Sequence, residues 1–442
     1  MPKEKVAPVI YGTREGADTL APRPGIARVR LGRVAHIPQH ASDPELILHS
    51  LMEQAAQPDR CLCDLSSPGT VPDSVRYGHI LREHALDAGF TGKADNPAYM
   101  GLVGRCLDMI AGLWRLPADA AGYGVPAFSG EYAAMTAAAA ALKRWRIRQA
   151  GHEGGMAVPN IVATPGRNPA WDTIADILGM RIRVAQPPYE TTLAEACDPD
   201  TVMTVATVAS TATSLDDDIP AISAELERIG LRYGLSAPLH VDATAGGFVK
   251  PFLDPRDKWD FRVPGVASIS ASTEWAGVTQ VALGWVLWRD TADTPFSALA
   301  DEIGRMDERE ENGERFHFTM PGMPVLTHFH DMMRLGYDGH RVILYERANI
   351  TERLLSGLRE IPGLIPVGND PRTPFIVFRP DAPGDAGSLW KALSLRGWKS
   401  TRVFLPPEYG GMPAIRIIIP YAMSEELAEL FLADLGDIVS KY

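Results

Sequence analysis

Apolar residues recur at three- and four-residue intervals from Leu102 to Leu113 (LVGRCLDMIAGL), the spacing that turns one helix face toward a core. Ser129 stands where an N-cap hydroxyl belongs, and the run from about 130 to 149 reads as the next helix. Its alanine-rich stretch, AAMTAAAAAL, has small side chains all round, which suits close packing against a sheet. Its Arg/Lys-rich end suits a helix C-terminus. The period then changes. NIVAT (160–164), RIRVAQ (181–186) and VMTVATV (202–208) are short, β-branched and apolar, as strands buried on both faces are. A helix starting near Pro220, with Asp216 to Asp218 before it and Gly234 at its end, leads to LHVDA (239–243). ASISAS (267–272) and GWVLW (284–288) follow. Strand, helix, strand in series predicts an α/β fold whose mostly parallel sheet is covered by helices.

After about 345 the composition resets. PFIVF (374–378) and AIRIII (414–419) read as strands, SLWKALSLRG (388–397) and SEELAELFLADLGDIV (424–439) as helices, together a small α+β domain. Residues 1 to about 35 are rich in Pro, Gly and Arg and read as an extended arm. The expected partition is an N-terminal arm and helix (1–55), a large domain (56–344) and a small C-terminal domain (345–442).

Composition narrows the function classes. The chain has 442 residues and a formal net charge of −12, which argues against nucleic acid or an anionic membrane as partner. No apolar run is long enough to span a bilayer, and MPKEKVAPVIYG lacks the apolar stretch of a signal peptide, so a cytoplasmic protein is expected. Cys61-x-Cys63 has no second pair to complete a metal site, so buried free thiols are expected for Cys61, Cys63, Cys106 and Cys197. His328-x-His330 with Asp331 is not expected to bind metal, because residues i and i+2 of a helix face different sides.

The informative segment is 240–290. It combines HVDATAGGFVKPFLDP, then WDFRVPGVASIS, then GWVLWRD. This combination resembles the glutamate decarboxylase-like (group II) PLP-dependent decarboxylases of fold type I. Weaker similarity runs from about residue 35 to the C-terminus. The resemblance implies a large domain of the aspartate aminotransferase type. It also implies a pocket in which a lysine links to PLP, a carboxylate holds the pyridine nitrogen, an aromatic ring stacks on the pyridine and a helix N-terminus cradles the phosphate.

Asp242 matches the family aspartate; the plain alternative is a satisfied Asp at a strand end. The family segment S-x-S-G-H-K-[FY]-G aligns with Ser270-Ala271-Ser272-Thr273-Glu274-Trp275-Ala276-Gly277. Trp275 therefore stands at the lysine and Glu274 at the preceding His. None of the nine lysines falls in a segment expected to reach the aldehyde, and Lys250, the closest in sequence, is expected to point away. The stacking His aligns with Trp171, which either stacks on a flat ligand or fills the hole left by a missing one. With the downstream Trp145-Arg146 as anchor, Glu131 replaces a phosphate-binding serine; a one-residue shift keeps Ser129 and makes Glu131 the ordinary family glutamate. Two carboxylates within ~5 Å of a phosphate would each oppose it by about 1–3 kcal/mol. Ser272 and Thr319 remain as hydroxyl donors, and Thr211 and Arg167 complete the expected pocket. Arg416 is kept, but Pro420 stands where a substrate-binding arginine belongs, and Met320 replaces another family arginine.

These departures lead to the expectation of no covalently held cofactor, with PLP binding doubtful. Three functions follow. The first is a repurposed PLP-independent enzyme using Glu274 and Asp242 as acid–base groups on a small cationic or aromatic substrate. The second is a non-catalytic subunit paired with an active PLP-dependent paralogue. The third is a decarboxylase with non-covalent PLP. A homodimer or higher homo-oligomer is expected, because this fold places its sites at a subunit interface.

Overall fold

The computed structural model describes residues 44, 45, 47, 48, 51, 63–69, 71–87, 96–120, 122–149, 158–187, 189–276, 282–290, 321–368, 370–381 and 386–441. The expected arm, Cys61, Thr319 and Met320 lie outside the described residues. Met1–Asp59 form one unit, in which Pro44, Glu45, Ile47, Leu48 and Leu51 are helical. Arg60–Tyr442 form the second.

In chain order the described strands are β1 (Cys63–Asp64), β2 (Tyr123–Ala127), β3 (Asn160–Ala163), β4 (Arg181–Val184), β5 (Thr201–Thr207), β6 (Leu239–Asp242), β7 (Val266–Ser272) and β8 (Gly284–Trp288). They continue with β9 (Leu364–Pro366), β10 (Phe375–Pro380), β11 (Trp398–Lys399), β12 (Thr401–Phe404) and β13 (Pro413–Ile418). Seven strands form a sheet of order β2-β8-β7-β6-β5-β3-β4. β3 to β7 pair in parallel, while β8 runs antiparallel to both β2 and β7. The C-terminal sheet, β12-β13-β10-β9, is antiparallel throughout.

The expected strands of the large sheet and the helix Ile219–Tyr233 appear within a residue or two of their predicted bounds. Asp218 caps that helix by accepting from Ala221 N, and Gly234 ends it in the left-handed region. The alanine-rich helix spans Gly130–Gln149 and buries Ala133, Ala134, Ala137, Ala138 and Ala140. Its start is pinned by Gly284: a Cβ there would stand 1.9 Å from the Ser129 carbonyl oxygen, so only glycine lets β8 pass beneath.

Three expectations change. β4 is not buried on both faces, because it is the sheet edge and turns Arg181 and Arg183 outward. Cys63 is half-buried rather than buried. β2 gave no sequence signal, since Gly124 and Pro126 interrupt its apolar run; an edge position tolerates both.

Parallel pairing gathers the C-terminal ends of β3, β5, β6 and β7 along one edge of the large sheet, where α/β sheets place their ligands. Over that edge lies an apolar seam of Ala209, Ala245, Trp275, Phe375, Val377, Leu405, Ala414 and Ile418. It joins the large sheet to β10 and β13. The helix Gly322–Glu360, kinked at Gly336, runs through position 345 and carries Arg347 into the same region.

Candidate active site

Asp242 ends β6 and is fully enclosed. Its Oδ1 accepts from the Thr244 N–H at 3.0 Å and from Thr244 Oγ1 at 2.6 Å. Its Oδ2 accepts from the indole Nε1 of Trp171 at 2.8 Å. Burial pushes the Asp242 carboxyl above its ordinary range, the Thr244 and Trp171 hydrogen bonds pull it back, and Glu131 pushes it further up. Trp171 is itself fully buried, with its ring edge toward His240 at 5.5 Å between centroids.

A second group forms where β7 ends beside the start of the alanine-rich helix. A Cβ on Gly130 would meet Ser272 Cβ at 2.9 Å and Thr244 Cγ2 at 3.1 Å, so glycine permits this approach. Ser129 caps the helix, its Oγ accepting from Tyr132 N at 3.3 Å. Ser272 Oγ is buried and has no partner among the described residues. Glu274 and Trp275 follow in a 3-10 turn, Glu274–Ala276. Burial raises the Glu274 carboxyl above its usual range and the exposed Glu131 raises it further, while Arg416 opposes both.

Arg416, on β13, lies over the Trp275 ring at 5.3 Å and donates from Nη1 to the Thr211 carbonyl at 2.9 Å. Thr211 thus serves through its backbone. Arg347 donates from Nη1 to the carbonyls of Trp275 (3.1 Å) and Ala276 (2.8 Å), and from Nε to Ile419 O (2.9 Å). It thereby fixes the turn against the end of β13.

Arg167 is placed differently from the rest. Its Nη2 donates to Asp172 at 3.1 Å, and its Nη1 stands 3.6 Å from Glu408. Lys250 also points elsewhere: its Nζ is held by Asp216 and, at 2.8 Å, by Asp257. Sequence reasoning missed Thr244, Arg347 and the part played by Arg416. A lone arginine in the apolar run AIRIII was the available signal for Arg416, but its neighbours across the seam were not legible.

The pyridoxal-dependent decarboxylase conserved domain matches residues 66–379, well over half of the chain. The chain belongs to the pyridoxal-dependent decarboxylase family. It is 28% identical to glutamate decarboxylase of Aliivibrio fischeri over 378 residues, covering 82% of this chain and 80% of that one. Lactobacillus brevis glutamate decarboxylase superposes with a TM-score of 0.80 at 23% identity, covering 94% of this chain and 96% of that one. An Oryza sativa TDC solved with PLP and tryptamine gives a TM-score of 0.71 at 17% identity, covering 91% and 90%. Both structural likenesses speak for the fold.

Membership corrects the expectation of no covalent cofactor and doubtful PLP binding: the family is a pyridoxal-dependent one, so PLP is the group this site must be tested against. The residues fit it at two places. A carboxylate has about four acceptor positions, and the three hydrogen bonds to Asp242 leave Oδ2 free to accept from a ring nitrogen. The Gly130 helix start, Ser129 and the unpartnered Ser272 hydroxyl suit a phosphate. When bound, PLP supplies an electron sink for charge developing on a substrate carbon. Among the described residues no helix is long and apolar enough to cross a membrane.

Proposed function

We propose that this glutamate decarboxylase-like chain is an enzyme of small-molecule metabolism in which Trp275 occupies the position of the Schiff-base lysine. PLP is held by Asp242, Ser272 and the Gly130 helix start, and Glu274 moves the proton at the substrate. The observation that carries this reading is the setting of Glu274. Its carboxyl is half-buried one residue before Trp275, between Glu131, which favours the protonated form, and Arg416, which favours the ionised one. A carboxyl whose hold on its proton is strengthened in this way is suited to take and return a proton at a substrate. The two glutamates favour a substrate carrying a protonated amine. The partition at about 345 and a homodimer are part of the same proposal.

Equilibrium dialysis of pyridoxal 5′-phosphate against wild type, Asp242→Asn and Ser272→Ala tests the holding residues. Weaker binding in both variants supports the assignment, and equal binding in all three sinks it. Mass spectrometry after borohydride reduction tests the lysine position: an adduct on a lysine removes Trp275 from it. Consumption of amino acids and amines is then screened with wild type and Glu274→Gln, and turnover should be lost in the variant. Ligand binding without turnover in any arm would favour the subunit that completes a paralogue's site.

A further inference from the structure

The two oxygens of the buried Asp242 carboxylate are used differently. Thr244 takes Oδ1 with its N–H at 3.0 Å and its hydroxyl at 2.6 Å. A carboxylate oxygen has about two acceptor positions, so Oδ1 is full. Oδ2 accepts one donor, the indole N–H of Trp171 at 2.8 Å, and keeps one position. The two bonds from Thr244 fix the orientation of the group by themselves. The indole bond therefore does not serve to aim the carboxylate; what it changes is how strongly Oδ2 accepts.

The indole is also held where it is. Trp171 is fully buried and belongs to one apolar cluster with Ala134, Ala138, Ile161 and Ala163. The His240 ring stands at 65° to it, 5.5 Å between centroids. His240 is in turn bonded to the hydroxyls of Ser268 at 2.8 Å and Ser270 at 3.0 Å. A protonated ring nitrogen bound at Asp242 must then share Oδ2 with this N–H. Two donors on one oxygen draw on the same negative charge, so each bond is weaker than it would be alone. The Trp171 hydrogen bond already weakens the hold of this carboxyl on a proton.

We infer that Trp171 is an internal competitor of the cofactor's ring nitrogen for Asp242 Oδ2, and thereby sets how tightly this chain grips PLP. This rests on the reading above that Asp242 holds PLP. Trp171 acts through Asp242 and is on this account a positioning residue. The role differs from both that its alignment suggested, stacking on a flat ligand or filling a hole.

The test is equilibrium dialysis of the full chain against pyridoxal phosphate and against its deaza analogue, in which C–H replaces the ring nitrogen. The ratio of the two affinities reads the bond between the ring nitrogen and Asp242, because phosphate contacts and any cavity opened by a variant affect both ligands alike. Trp171→Phe keeps an aromatic ring and removes the N–H, and should raise the preference for pyridoxal phosphate by about fivefold over wild type. Thr244→Val removes a donor from the other oxygen and should raise it less. An unchanged or lowered preference in folded Trp171→Phe overturns the inference, and an equal rise in Thr244→Val overturns the assignment to Oδ2. Should near-UV circular dichroism show that Trp171→Phe is unfolded, the indole N–H resonances of isotope-labelled wild type decide. One of the nine tryptophan signals should differ in position between the two complexes, and coincident indole spectra end the proposal. Equal pyridoxal phosphate binding by wild type and Asp242→Asn strikes the function proposal. Binding that needs Asp242 but shows the same preference with and without the indole strikes this inference alone.

Discussion

The two sides of the cleft differ in how complete they are. On the floor, Asp242 is enclosed and bonded three times, and Trp171 and Thr244 spend their donors on it. On the wall, the buried Ser272 Oγ, Thr273 Oγ1 and Trp275 Nε1 have no partner among the described residues. The floor lies at the end of β6 and the wall follows the end of β7, its neighbour in the sheet. The floor holds its shape with its own hydrogen bonds, whereas the wall is held through its backbone by Arg347. The floor thus has its donors and both carboxylate oxygens matched within the chain, whereas the wall's buried hydroxyls and indole N–H have no partner among the described residues.

The largest expected effect tests what pins the wall. Arg347→Met leaves the carbonyls of Trp275, Ala276 and Ile419 without their donor and should lower stability by about 3 kcal/mol in urea denaturation. A loss below about 1 kcal/mol would mean the wall stands without that clasp. The same conservative change on the two sides sharpens the contrast. Trp171→Phe removes a hydrogen bond to a buried carboxylate and should cost about 2 kcal/mol.

The large sheet also has a pH signature near that floor. Asp217 accepts from Thr164 Oγ1 at 2.5 Å, Thr207 N at 2.7 Å and Tyr189 OH at 3.0 Å. Burial nonetheless pushes its carboxyl up from 3.8 to about 6. A raised folded-state pKa means the folded chain binds the proton more tightly, so this contribution is present below about pH 4 and is lost as pH rises through about 6. His240 and His328, pushed down to about 3 by burial, act in the opposite sense, gaining stability as pH rises toward 6.5. The measurement is therefore the difference between Asp217→Asn and wild type. Between about pH 4 and 6 the variant's denaturation midpoint should fall less, or rise more, than that of wild type. Parallel curves would reject a titrating Asp217.

The smallest effect belongs to the wall. Trp275→Phe loses an N–H that has no partner among the described residues, so its stability should fall by less than about 1 kcal/mol. A cost as large as that of Trp171→Phe would show that the indole N–H is already satisfied and would erase the distinction between the two regions.

Local pattern made much of the fold legible. The apolar runs at 160–164, 202–208, 239–243 and 284–288 became β3, β5, β6 and β8, because short β-branched stretches have few other ways to bury both faces. Ser129 and Asp218 announced helix starts because capping is decided within three residues. The motif HVDA placed Asp242 at a strand end. β2 and β9 were not read, since Gly or Pro interrupts them, and β12 was not read because its four residues are too few to show a period; such brief strands acquire their hydrogen bonds only from a neighbour.

By itself the sequence determined the order of elements, the strand-end carboxylate and the indole that follows the Ser270–Glu274 stretch. The partnerships were decided only in three dimensions. Trp171 meets Asp242 across 71 residues, and Arg347 meets Trp275 across 72. Arg416 reaches Trp275 from another sheet. Periodicity over a few residues reports which face is buried but carries no term for which distant side chain will share that space. The first of these distances closes when a helix packs on the large sheet, and the last only when the two sheets pack along their common seam.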